Sequence, residues 1–171
     1  MWYVIQVQAR HEMAVCERMR KDVLKDGEEA FVLLSERIHR RQPRGYEIVL
    51  TPAFQKYIFA DIGNVGDFQQ RLRSIKEMTK LLAVGDDIVP IREDEQRLLE
   101  LLSDEQHVIR ISTGYIAGEK VTVTDGPLKG RSGLVQWTNP RQKLAGIKLQ
   151  LFGREARVKL GMEYIAPANA G

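Results

Sequence analysis

From Gly118 to its end the chain offers strands and turns and nothing with a helical period. The runs "EKVTVT", "RSGLVQW", "AGIKLQL" and "REARVKL" follow one another with turn signals every eight to twelve residues. So many short strands in so short a stretch can bury an apolar face only by curling, which predicts a small five-stranded barrel. The stretch "VTDGPLKGRSGLV" (123–135) supplies its first corner. Asp125-Gly126-Pro127 turns the chain, and Gly130 and Gly133 let it bend. It is no nucleotide-binding loop, because the Lys-Ser/Thr pair and the following helix of a P-loop are both missing.

Strand alternation sorts the barrel's side chains. Ile147, Leu149 and Leu151 point one way, which sends Lys148 and Gln150 the other; Ala156, Val158 and Leu160 point inward, so Arg157 and Lys159 point out. The turn at Phe152-Gly153-Arg154 makes a hairpin of these two strands. It predicts one surface shared by Lys148, Arg154, Arg157 and Lys159. Arg141 and Lys143 stand in the preceding loop "TNPRQK", and Lys129 and Arg131 in the opening loop. Residues 115–171 hold 9 Lys and Arg against 4 Asp and Glu, whereas residues 1–114 hold 17 against 19. A charge run is commonly just a solvated face, but concentration in one small unit points to a polyanion, and the eight cations named here are the candidate RNA contacts. Phe152, at a hairpin turn, is a candidate exposed ring. Trp137 is a second, although a Trp that ends a strand is more often core.

The first two thirds read differently. "WYVIQVQ" alternates as a strand, with Tyr3, Ile5 and Val7 on one face. A helix follows, with Met13, Cys16, Met19 and Val23 near helical spacing, and Gly27 ends it. "AFVLLSERI" and "YEIVLT" form a long hairpin with a basic tip containing Arg37, His39, Arg40, Arg41 and Arg44. "FQKYIFADI" (54–62) is a further strand, Phe68, Leu72 and Ile75 mark a second helix, "KLLAV" a short strand and "REDEQRLLELLS" a third helix with acids in its first turn. The order β-α-β-β-β-α-β-α predicts an α+β domain, an antiparallel sheet backed by helices. The expected division is 1–105 for this domain, 106–114 for a linker in which "HVIRI" can still pair as an edge strand, and 115–171 for the barrel.

Catalysis finds no footing. His11, His39 and His107 fall in three separate elements, Cys16 is not a helical neighbour of His11, and no Cys/His cluster has metal-binding spacing. We expect no enzyme, no metal and no cofactor. A single cysteine, no apolar run of membrane-spanning length and no signal peptide lead us to expect a soluble, cytoplasmic protein without a membrane partner.

Two blocks carry a resemblance that spans essentially the whole chain. "GEKVTVTDGPLKGRSGLV…KLQLFGREARVKLGMEYI" closely resembles the KOW domain of the NusG family of bacterial transcription factors. "WYVIQVQARHE" resembles the opening W-Y-V-V-Q of that family's N-terminal domain, and "FQKYIF" sits where the family carries F-P-G-Y-V. The resemblance implies a non-enzymatic, monomeric accessory factor of RNA polymerase, with an all-β SH3-like KOW barrel after the α+β domain. It implies that the strand of Phe54, Tyr57 and Phe59, with Tyr3, accepts the tips of the polymerase clamp helices through an exposed aromatic patch. It implies further that the KOW domain recruits a second partner: the termination factor Rho, a ribosomal protein, or RNA. A ribosome-associated KOW protein is a further alternative. Upstream DNA is a candidate partner of the 37–44 hairpin.

Two departures distinguish this chain. Phe-Pro-Gly-Tyr has become Phe54-Gln55-Lys56-Tyr57, and the KOW unit is unusually basic. Both resemble the specialised paralogues of the family, LoaP-type antiterminators above all, and imply recognition of a structured hairpin in a nascent leader RNA. Some relatives refold their C-terminal domain into helices. The alternating runs here favour the barrel, so no such switch is expected.

Overall fold

The opening run forms β1 (Trp2–Val7). Consecutive residues Trp2, Tyr3, Val4 and Ile5 are all buried, so this strand is covered on both faces. Helix α1 (Glu12–Asp22) turns Val15, Cys16 and Met19 into the core. Met13, expected on that stripe, is 51% exposed. The buried stripe runs through residues 12, 15, 16 and 19, and position 13 lies about 100° round the helix from 12. The next apolar run splits into β2 (Glu29–Phe31) and β3 (Leu34–Arg40). Then come β4 (Tyr46–Pro52), β5 (Tyr57–Asp61), α2 (Val65–Leu72), β6 (Thr79–Leu81), the short pair β7 (Ala83–Val84) and β8 (Asp87–Ile88), and α3 (Glu93–Leu102). The computed structural model describes residues 1–43, 45–151 and 153–167. Arg44 and Phe152, both singled out above, lie outside the described residues.

The chain divides into two compact units. The first comprises Met1–Leu33 and Phe54–Leu98. Its sheet has the order β2-β5-β1-β6, and β5 pairs antiparallel with both its neighbours, Ile5 facing Ile58 and Phe31 facing Phe59. Helix ends are capped locally. Asn64 accepts a hydrogen bond from the Asp67 N–H at 3.0 Å, and Glu95 accepts one from the Arg92 N–H at 2.8 Å.

The second unit comprises Leu34–Ala53 and Leu99–Gly171, so the β3–β4 hairpin belongs with the C-terminal strands. Leu34 to Arg40 pair with Pro52 to Tyr46, as a long hairpin should. On its other edge β3 pairs in parallel with β9 (Val108–Ile109), the edge pairing left open by "HVIRI". Glu36 then ties the hairpin down: its carboxylate accepts from the Ile111 N–H at 2.9 Å and pairs with Arg110 at 3.2 Å. At Gly161 any Cβ would stand 2.2 Å from the Glu36 carbonyl oxygen, so only glycine allows this approach.

The remaining strands are β10 (Ser112–Ala117), β11 (Lys120–Asp125), β12 (Val135–Asn139), β13 (Leu144–Leu151) and β14 (Arg154–Tyr164). They form one curled five-stranded sheet in the order β11-β10-β14-β13-β12. Its core holds Ile147, Leu149, Leu151, Val158 and Leu160 of the predicted set, joined by Ala145 and Met162, while Ala156, also expected inward, is half-buried. Each large aliphatic side chain there contributes about 1.5–3 kcal/mol of burial free energy. Gly126 makes the corner with φ of +93°.

Candidate nucleic-acid interface

Cations reach the surface of the barrel as alternation requires. Lys148 faces Arg157 across the β13–β14 ladder, and Lys159 faces Gly146. Arg157 and Lys159 are exposed and Lys148 is half-buried. Arg154, by contrast, has the parity of the inward Ala156 and Val158. It faces Leu151 at the end of the ladder, so the shared surface holds three of the four cations expected on it. One acid sits among them: Glu155 lies 3.6 Å from both Lys148 Nζ and Arg157 Nε.

Trp137 belongs to this surface. It pairs with Gly146, and a Cβ on Gly146 would come within 1.7 Å of the indole. The ring therefore lies flat on the strand where only glycine leaves room, on the face that carries Lys148. Arg157 stands 5.9 Å from the ring centroid and Trp137 is half-buried. It is neither core nor a free platform; it is a half-buried ring seated against Gly146 with the Arg157 guanidinium over it.

The two loops differ. Lys129 is exposed and has no acid partner among the described residues, while Arg131 donates to the Pro127 carbonyl at 3.1 Å and so braces its own loop. In the β12–β13 turn Arg141 is exposed. Lys143 has φ of +56° and its ammonium lies 4.8 Å from the centre of the Tyr46 ring.

On the first unit the expected aromatic patch contracts. Ile58, Phe59 and Ala60 are all fully buried, as happens when an inner strand is covered on both faces. Phe59 packs against Trp2 and Phe31, and Tyr3 and Phe54 are also core. Of the four residues only Tyr57 is partly exposed, stacked on Phe54 at 6.5 Å. Ahead of it the turn is held in an unusual way. Lys56 has φ of +71°, its N–H donates to the buried carboxylate of Glu12 at 2.7 Å, and its carbonyl accepts from Val7 at 2.8 Å.

With this geometry in place, comparison with known proteins is decisive. Residues 1–100 match the family model described as "Transcription termination factor nusG". The chain belongs to the NusG family. It is 23% identical over 179 residues to the transcription termination/antitermination protein NusG of Borreliella burgdorferi, with 96% of each chain covered. It is 25% identical over 174 residues to the protein of the same name from Rickettsia typhi, covering 96% of this chain and 88% of that one. A solved structure, "Domain interaction in Thermotoga maritima NusG", is similar over 94% of this chain and 92% of that chain, with 21% identity and a TM-score of 0.48. The curled C-terminal sheet is consistent with a KOW, SH3-like barrel in this NusG-family chain.

Lys56 stands where the family pattern quoted above has Gly, and it holds a left-handed backbone, with the Glu12 carboxylate of α1 accepting from its N–H. Sequence reasoning missed Glu12 because a glutamate at a helix start reads as a dipole partner. It missed Tyr46 as the seat of Lys143 because nothing local links residues so far apart.

Proposed function

We propose that this transcription termination/antitermination factor is a LoaP-like processive antiterminator that works without making or breaking a bond. Its N-terminal domain binds the RNA polymerase clamp helices, with Tyr57 at the contact. The barrel binds a structured hairpin in nascent leader RNA. The charge of the C-terminal third carries this reading, with nine cations to four acids. Exposed Lys129, Arg141 and Lys159 have no acid partner among the described residues, and Trp137 beside Arg157 offers a face on which an unpaired base can stack. The bridging of polymerase and RNA would suppress pausing and release at terminators.

A single-round transcription assay tests the reading. RNA polymerase, the full chain and a template with a structured leader ahead of a terminator should give more read-through than the same template with a scrambled leader. Equal read-through on both would remove the RNA-targeting role, and no read-through would remove antitermination itself. Tyr57→Ala should weaken capture of RNA polymerase by the full chain; unchanged capture would move the docking site elsewhere.

A further inference from the structure

A cleft of about 540 Å³ opens in the second unit between the β3–β4 hairpin and the β12–β13 turn. Arg37, His39, Arg40 and Tyr46 line it from the hairpin, and Arg141 and Lys143 from the turn. No acid is among its described lining residues. The nearby carboxylates are committed elsewhere, Glu36 to Arg110 and the Ile111 N–H, Glu47 to Arg41 at 3.5 Å. Among the described residues Arg37, Arg40, Arg141 and Lys143 have no ion-pair partner. Two stretches about a hundred residues apart thus bring like charges together, an arrangement that is electrostatically repulsive in the free protein.

The walls are built rather than loose. Asn139 fixes the turn by accepting from the Gln142 N–H at 3.0 Å and donating to its side chain at 3.2 Å. The Lys143 carbonyl accepts from the Met162 N–H at 2.9 Å. Arg37 is half-buried, its Nε is buried without a hydrogen-bond partner, and desolvation lowers its pKa from the usual value. A guanidinium placed so is short of an anion. Tyr46, 61% exposed, adds an aromatic surface beside the cations.

We infer that this cleft is a track for the sugar–phosphate backbone of a structured RNA, continuing the barrel's RNA surface onto the hairpin. The inference rests on the RNA reading above and adds the hairpin to it. An open cleft with cations spread along both walls suits a chain of regularly spaced phosphates better than one small anion. A-form stems are held largely through such contacts.

The full chain is titrated with a fluorescein-labelled RNA stem-loop over a salt series, beside a DNA duplex of equal length and poly-glutamate. Arg40→Ser with Arg141→Ser changes two exposed cleft cations. It should reduce the slope of log affinity against log salt by about 1.4–1.8, at roughly 0.7–0.9 for each phosphate left without its cation. Lys129→Ser with Lys159→Ser, on the barrel, serves as the comparison. If the barrel pair lowers the slope and the cleft pair does not, the cleft inference falls while the RNA reading stands. If the wild-type chain does not bind the stem-loop at all, both fall. Loss confined to the DNA duplex, or poly-glutamate competing as well as RNA at equal charge, would also overturn the assignment to RNA. An equal slope reduction on RNA and DNA would likewise overturn the assignment to RNA, leaving a track for any nucleic-acid backbone.

Discussion

Arg71 and the arginines of the cleft use the same side chain for opposite ends. Arg71 is 19% exposed and holds both oxygens of Glu28 at 2.8 Å, while its Nε reaches Asp67 at 3.2 Å. It also donates to the Val23 carbonyl, and its guanidinium lies over the Phe68 ring at 5.6 Å. Lys25 completes the group by pairing with Asp67 at 2.8 Å. One guanidinium thus joins the end of α1, the loop before β2 and the start of α2, with nearly every donor satisfied. Arg40 and Arg141 make no such contacts among the described residues. A cation surrounded by acids belongs to the fold; a cation surrounded by cations is left for something outside it.

The sharpest way to break this contrast is to remove Arg71. Arg71→Met leaves Glu28, 13% exposed, without its bidentate partner and orphans the Val23 carbonyl. Hydrogen bonds to charged groups are worth about 1.5–3 kcal/mol each, and leaving one charge buried adds to the loss. We expect urea unfolding of the variant to show a loss of about 2–3 kcal/mol. A loss under about 0.5 kcal/mol would make Arg71 a surface charge like the others.

A pH series sharpens the same point. The Arg71 hydrogen bond is the largest influence on Glu28 and holds its carboxyl below the usual glutamate value. A folded pKa below the unfolded one gives stability that is complete above the unfolded value. That stability is lost as pH falls through the folded one. Wild-type stability should therefore drop on acidification through and below the ordinary glutamate range. Arg71→Met should drop less over the same window, because it has already lost the interaction. Parallel curves would show that Glu28 does not depend on Arg71.

Lys56 is a cation placed for neither reason, since its backbone and not its charge is what the structure uses. A side chain held in the left-handed region costs about 1–2 kcal/mol, which glycine avoids at some cost in unfolded-state entropy. Lys56→Gly should raise the urea midpoint by the equivalent of about 1 kcal/mol. A fall would mean that the lysine side chain supports the turn after all.

How much of this was legible depends on the range of the signal. The inward Ile147, Leu149 and Val158 and the outward Lys148 and Arg157 follow from a period of two, which the backbone enforces residue by residue. Aromatic exposure on β5 did not follow, because whether Phe59 meets solvent depends on the layers over the sheet. The same alternation suits a covered and an uncovered strand. Trp137 on Gly146 and Lys143 beside Tyr46 needed a partner distant in sequence and a missing Cβ, neither of which a local pattern records. Placing the hairpin in the second unit rested on the β3–β9 pairing, the Glu36 contacts and the close approach at Gly161. Of these only the "HVIRI" edge strand was in view.

The smallest expected effect is also the most discriminating. If the cleft cations serve a ligand, removing them costs the free protein nothing and relieves repulsion. Arg40→Ser with Arg141→Ser should change stability by less than about 0.5 kcal/mol, in the stabilising direction if at all. The difference should fade as salt rises, because screening removes the repulsion from the wild type as well. Measuring Tm for both proteins at low and at high salt checks this. A loss of about 1 kcal/mol or more, insensitive to salt, would show that the cleft arginines hold the hairpin as Arg71 holds its loop. The contrast between cations that build this protein and cations that face outward would then be gone.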